Sequence, residues 1–163
     1  MLLEFEVSPL EKADIPSVAQ IEKQSQPEPW TARSFAEELE RIHSRVLVAR
    51  VKAAAGEKPD EAGTIAGYIC FWCVLGEIQI LNVAVHEDFR RRGAARLLLR
   101  KAIESGCEGK ASLATLEVRK SNVAARTLYE SIGFRVAGER PGYYGAREEP
   151  AIIMELELDG ERG

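Results

Sequence analysis

The chain has 163 residues, 45% of them hydrophobic and 29% charged, enough apolar material for one compact core and too much for a disordered chain. Lys plus Arg number 22 against 26 Asp plus Glu, a formal net charge of −4. A pI near 5.4 excludes broad, salt-driven nucleic-acid binding, which needs a cationic surplus.

Glu4–Val7 reads as a strand. Asp14 suits the N-cap of a helix running to about Gln24, with Pro16 tolerated in its first turn. Thr31 caps a second helix expected to end near Ser44. Arg45–Val51 and Thr64–Val74 are strand-like, joined by a long hairpin loop over Lys52–Gly63. Glu77–Val85 is a strand, and a helix follows from Gly93 to about Gly106. Its Ala95, Leu98, Leu99, Ala102 and Ile103 make an i, i+3, i+4, i+7, i+8 stripe. Ala114–Arg119 is a strand and Asn122–Ser131 a helix stopped by Gly133. Arg135–Arg140 and Ala151–Leu158 close the chain as strands. This alternation implies a mixed α/β sheet with helices on its faces.

No apolar run approaches the ~20 residues of a membrane-spanning helix, and the acidic start lacks the basic lead of a signal peptide. A cytoplasmic location is expected. Cys70, Cys73 and Cys107 make an odd number, which fits a reducing compartment better than a disulfide framework. Cys70 and Cys73 spell C-x-x-C, but within a strand positions three apart face opposite ways. No second C-x-x-C or His pair completes a metal site, so core packing is expected and no metal. His43 and His86 match no ligand pattern and read as surface or supporting residues.

Along Glu77–Val85 the alternation begins cleanly, with Ile78 and Ile80 on one face. Asn82 then falls on the apolar parity. This marks either a slip of phase, as at a β-bulge, or an Asn facing solvent at a strand end. Just beyond it, Arg90, Arg91 and Arg92 stand together against the acidic trend and lead through Gly93, Ala94, Ala95 and Arg96 into a helix. Small residues, helix N-terminal N–H groups and arginines suit a diphosphate; read alone, a basic turn before a helix is equally a solvated surface. Neither G-x-x-x-x-G-K-[ST] nor G-x-G-x-x-G is present.

Arg90-x-x-Gly93-x-Ala95 resembles the Q/R-x-x-G-x-G/A signature of the GCN5-related N-acetyltransferase (GNAT) family. The run Leu116–Ala125, continuing through Leu128–Phe134, then Tyr143-Tyr144 and Ala151–Met154, is similar to one branch, the bacterial ribosomal-protein-alanine N-acetyltransferases. Pro29-Trp30-Thr31 with Phe35 fits the same branch. Three features depart from it: Glu87 where the family often has Pro, Pro150 before the last strand, and the longer hairpin loop. The resemblance implies an α/β (α+β) GNAT fold over residues 1–163 as a single domain. It would have a central mixed, mostly antiparallel twisted sheet of about seven strands and about four helices on both faces.

It also implies site residues. Acetyl-CoA would lie along Val83, Ala84 and Val85, with its pyrophosphate on the turn Arg91, Arg92, Gly93, Ala94, Ala95 and Arg96, and its chain touching Asn122. Asn122 read by itself is equally an N-cap. Glu117 alternates against Leu116 and Val118; by resemblance it is the general base, its proton affinity raised by partial desolvation, and otherwise a partner for Arg119 or another cation. Tyr129 shares a helical stripe with Ala125, Leu128 and Ile132, which reads as core; by resemblance it protonates the departing thiolate. Trp30, Tyr143 and Tyr144 would border the acceptor, although Trp30 can equally pack on the second helix.

The implied reaction is acetyl transfer to the N-terminal alanine of a small-subunit ribosomal protein, by a monomer or weak dimer, with no direct nucleic-acid or membrane partner. Another acceptor (a small amine, an antibiotic or a lysine) or a non-catalytic CoA-binding regulator are the alternatives. An α-amine of pKa near ~8 is roughly a tenth neutral at pH 7, whereas a lysine at ~10.4 is neutral in only about one molecule in 2,500. That difference favours the N-terminus.

Overall fold

The computed structural model describes residues 4–52, 63–142 and 149–158; Tyr143, Tyr144 and the interior of the 52–63 connection lie outside these residues. In chain order the elements are β1 (Glu4–Pro9), α1 (Ile15–Ser25), α2 (Ala32–Glu40), β2 (Ser44–Lys52), β3 (Ile65–Val74) and β4 (Glu77–Val85). They continue with α3 (Ala94–Ser105), β5 (Leu113–Arg119), α4 (Val123–Ile132), β6 (Arg135–Arg140) and β7 (Ala151–Glu157). The strands form one sheet in the order β1-β2-β3-β4-β5-β7-β6. β4 and β5 run parallel, which demands a crossover, and α3 supplies it. The β1–β2, β5–β7 and β6–β7 pairs are antiparallel.

The expected elements are all present, with one shortened. α2 stops at Glu40 rather than near Ser44, because Arg41 is extended and Ser44, itself buried, opens β2. Short 3-10 turns at Lys12–Asp14, Glu87–Phe89 and Gly106–Gly109, which periodicity does not signal, join these elements.

The chain divides into two compact units, residues 1–71 with 82–102, and residues 72–81 with 103–163. In the first, α1 and α2 lay an apolar stripe, including Ile15, Val18, Ile21 and Phe35, into a core shared with Val46, Val48 and Tyr68. Thr31 caps α2 as expected, its hydroxyl accepting from the Ser34 N–H at 3.2 Å. Glu22 lies on the same buried stripe, only 1% exposed. Its carboxylate accepts from the Tyr68 hydroxyl, from Asn82 Nδ2 at 2.9 Å and from the Trp30 N–H at 3.0 Å. Burial, with the Glu22 carboxylate beside it, pushes the Tyr68 phenol far above its ordinary range.

This network bears out one of the two readings of β4. The two-residue turn at Leu75 and Gly76 sets Val74 opposite Glu77, whereas the His86 N–H binds the Ala66 carbonyl, one residue out of that register. The phase therefore slips along β4 as at a β-bulge, and Asn82 joins Tyr68 on the face of Glu22. The polar residue is tolerated there because its amide donates to Glu22 and to the Tyr68 oxygen, the latter at 2.9 Å. Nearby, β3 passes so close to β4 that a Cβ on Gly67 would sit 2.7 Å from the Ala84 carbonyl oxygen. Only glycine fits.

In the second unit β5 is zipped to β7 from Leu113↔Glu157 to Arg119↔Ala151. Ala114, Leu116 and Val118 are buried, while Glu117 and Arg119 are exposed. The cysteines overturn a sequence expectation. Cys73 and Cys107 are joined as a disulfide, with Cα atoms 5.4 Å apart, inside the range such a bond requires. The left-handed backbone at Cys107 and Glu108, just past α3, turns the chain there. Cys70 is the buried free thiol, pushed up to about 12 by desolvation.

Glu22→Ala should be severe, since it leaves the Tyr68 hydroxyl, the Asn82 amide and the Trp30 N–H without their acceptor. Denaturant unfolding should show a loss of several kcal/mol, at about 1–3 kcal/mol for each buried donor left unsatisfied. Glu22→Gln, which keeps one acceptor oxygen, should lose clearly less.

Candidate active site

In the first unit the residues after β4 build an anion-binding turn. The Arg90 Nε donates to the Val85 carbonyl at 3.1 Å, tying the arginine run to the strand end. Arg91 adopts φ +63° and Gly93 φ +88°, and these two left-handed positions swing the chain into α3. The N–H groups of Ala94 and Ala95 open α3 and have no partner among the described residues, as a helix start dictates. No described atom lies within 4 Å of where a Gly93 Cβ would stand. Open space and orphan N–H donors meet here beside the exposed Arg91 and Arg92, features that suit a diphosphate. The residues therefore fit the pyrophosphate of acetyl-CoA.

Val83, Ala84 and Val85 form the end of β4, Ala84 buried and the other two half-buried. His86, which follows, donates its N–H to the Ala66 carbonyl at 2.7 Å, and its ring Nδ1 accepts from the Asp88 N–H at 3.0 Å. That histidine is a turn cap.

In the second unit Glu117 stands on β5 with its side chain 44% exposed. Its Oε1 is 2.8 Å from Arg140 Nη2. The partly desolvated carboxylate expected from sequence is thus replaced by an open one paired with a cation, and the cation is Arg140 rather than Arg119. Both line a cavity of about 410 Å³, together with Gln79, Ile80, Leu81 and Ile153 among others. The cavity begins where the β4–β5 ladder ends, at Ile80↔Leu116.

Tyr129 is buried in α4, with its ring centroid 6.0 Å from that of Phe134. Burial pushes its phenol up to about 12, so at neutral pH the hydroxyl holds its proton, the state a general acid requires. Asn122 is the N-cap of α4, its Oδ1 accepting from the Ala125 N–H at 3.2 Å. The preceding turn is fixed from the other side. Glu149 accepts from Ser121 Oγ at 2.7 Å and Ser121 N–H at 3.0 Å, and the Pro150 carbonyl accepts from the Lys120 N–H at 3.1 Å. The two Ser121 bonds hold the Glu149 carboxyl below its ordinary range.

The Trp30 ring packs at 5.4 Å on Phe35 while its N–H binds Glu22, so the packing role is observed. Tyr143 and Tyr144 lie outside the described residues. Sequence reasoning missed Glu22 and Arg140. The first left a signal, an acid on the stripe of Val18, Ile21 and Ser25; the second left none, being one arginine at the end of an ordinary strand.

A family model described as acetyltransferase (GNAT) family matches residues 15–134. The ribosomal protein bS18-alanine N-acetyltransferase of Escherichia coli (strain K12) is 34% identical over 155 residues, 93% of this chain and 97% of its own. The enzyme of the same name from Salmonella typhimurium (strain LT2) is 37% identical over 156 residues, with the same two coverages. Among solved structures, the crystal structure of the Escherichia coli ribosomal-protein-S18-alanine N-acetyltransferase superposes with a TM-score of 0.79 at 31% identity, covering 98% of this chain and 97% of that one. Arabidopsis thaliana NAA60 in complex with acetyl-CoA shares the fold, with a TM-score of 0.80 at 17% identity over 95% of this chain and 99% of that one.

Gly93→Val tests the turn, because a β-branched side chain is strained at that φ and fills the open space above the backbone. Calorimetric titration should show acetyl-CoA affinity falling by about tenfold or more, the order expected from losing a charge-assisted backbone contact. An unchanged affinity would mean the pyrophosphate lies elsewhere.

Proposed function

Because this chain belongs to the acetyltransferase (GNAT) family, we propose that it transfers an acetyl group from acetyl-CoA to the α-amine of the N-terminal alanine of ribosomal protein bS18. The observation that carries this reading is the similarity to enzymes of that name along almost the full length of both chains, 34% identity over 93% of this one and 97% of its relative. The whole chain acts as one cytoplasmic acetyltransferase domain, a monomer or weak dimer.

Acetyl-CoA supplies the activated acetyl group. The turn from Arg91 to Arg96 takes the diphosphate, Val83–Val85 offers main-chain groups to the pantetheine arm and to the thioester oxygen, and Asn122 touches the CoA chain. Glu117 accepts the proton that the acceptor amine gives up, directly or through a water, at Oε2. Tyr129 donates its Oη proton to the sulfur that leaves. Trp30, Tyr143 and Tyr144 border the acceptor peptide. The demand on the base is small, since an α-amine of pKa ~8 is already roughly a tenth neutral at pH 7.

Mass spectrometry should find a single acetyl group on the N-terminal alanine of bS18-derived peptides, with free thiol released in equal amount. Modification of lysine-only peptides or polyamines in its place would overturn the reading. Tyr129→Phe should lower kcat by about 10²–10⁴-fold while leaving the acetyl-CoA Kd unchanged; equal losses in both would assign Tyr129 to packing.

The pH profile carries a separate expectation. Deprotonation of the acceptor should raise kcat/KM through about pH 8. Since Tyr129 ionises only near about 12, no descending limb should appear up to about pH 10. A fall in that range that Tyr129→Phe abolishes would contradict the assignment of Tyr129 as the acid.

A further inference from the structure

We propose that Arg140 binds the first carbonyl oxygen of the acceptor, so that the Glu117–Arg140 pair selects an α-amine over the ε-amine of a lysine. The inference rests on the Nα-acetyltransferase reading and adds to it the residue that enforces the choice.

The strand register puts the two side chains on one face. Glu117 pairs with Ile153 of β7, and Arg140 of β6 pairs with Ala151, two residues along the same strand. Side chains two apart on a strand share a face. The arginine therefore reaches across the Ile153 row to bring Nη2 within 2.8 Å of Glu117 Oε1. Both side chains are about half exposed, 57% and 44%, and a pair that open to water contributes little to folding. What it does contribute is a fixed anion and a fixed cation side by side on the wall of one cavity. Among the described residues, Glu117 Oε2 and the Nε and Nη1 of Arg140 have no partner. Each member can thus take a ligand atom, and the planar guanidinium, with five N–H donors in a fixed fork, can accept a second oxygen without releasing the first.

An N-terminal residue presents the complementary pair. Its amine nitrogen and its own carbonyl oxygen are separated by Cα and the carbonyl carbon, a spacing that bond lengths set at roughly 2.8 Å in the compact rotamer. The amine then lies on Glu117 and the carbonyl on Arg140. Ile80, Leu81 and Ile153 supply apolar wall for a small first side chain. A lysine ε-amine is followed by methylenes alone. It can reach Glu117 but leaves the guanidinium facing a chain with nothing to accept its hydrogen bond. Discrimination by a polar group left unmatched is larger than that obtained from shape.

The test compares the full-length enzyme with Arg140→Ala, Arg140→Gln and Arg140→Lys on two acceptors. One is a peptide beginning with alanine; the other replaces its first peptide bond with an (E)-alkene, keeping the amine and the outline while removing the carbonyl oxygen. The wild type should favour the peptide by about tenfold or more in kcat/KM. Arg140→Ala and Arg140→Gln should each lose about 10- to 100-fold on the peptide, mostly through KM, and less than about threefold on the alkene. Arg140→Lys should fall between, since a point charge replaces the fork. Thermal midpoints close to the wild type's would exclude misfolding, as expected for a half-exposed side chain. Equal losses on both acceptors would overturn this inference alone, showing that Arg140 only holds Glu117 in place. A wild-type enzyme inactive on the peptide would instead overturn the Nα reading and this inference with it.

Discussion

A carboxylate sealed from water is the constraint around which the first unit is organised. Desolvating an ion costs several kcal/mol even after relaxation, and Glu22 recovers that only because three donors converge on it. Those donors come from separate parts of the chain: the connection from α1 to α2 through the Trp30 N–H, β3 through Tyr68, and β4 through Asn82. If any of them moved, a buried charge would be left short of a partner, so each is held where it is. Trp30 and Val83–Val85 are consequences of that arrangement. Trp30 is positioned by its own backbone bond to Glu22, and Val83 is the next residue after Asn82. The Trp30 segment and the end of β4 thus both answer to one side chain.

The second unit relies on strand alternation instead. β5 buries Ala114, Leu116 and Val118 and sends Glu117 and Arg119 the other way, so the seven-pair ladder with β7 that anchors the strand also aims the carboxylate. At the end of β5, Ser121, Asn122 and Lys120 are all tied down: Asn122 by capping α4, the other two by Glu149 and Pro150. Proline costs nothing at position 150, because the group used there is its carbonyl and not the N–H it lacks. This departure from the family pattern is accommodated by the backbone bonding it meets.

Periodic features were legible in the sequence and long-range polar partnerships were not. The order of strands and helices, the Thr31 cap, the Asn122 cap and the arginine turn into α3 all rest on local chemistry, which neighbouring residues specify. Asn82 was visible as an anomaly, a polar residue on an apolar parity. Its explanation required knowing that Glu22, sixty positions away, would lie beside it, and periodicity carries no such information. The same holds for Cys73 and Cys107, whose pairing depends on where the turn after α3 ends. Arg140 shows the limit most clearly. An arginine closing a strand is unremarkable until the β6–β7–β5 register places it over Glu117.

That register also bears on the choice of acceptor. To acetylate a lysine at neutral pH, an enzyme must help the amine across about two and a half more pKa units than an α-amine needs, and the usual means is a dry site that disfavours the ammonium form. The Glu117 site does not take that form. Its carboxylate is 44% exposed, a guanidinium lies 2.8 Å away, and polar Gln79 and Thr115 share the cavity wall. In the proposed role of Glu117, a site this open to water suits an amine that is partly neutral already better than a strongly basic one. The openness of Glu117 is therefore a second physical argument, independent of Arg140, for the proposed N-terminal acceptor.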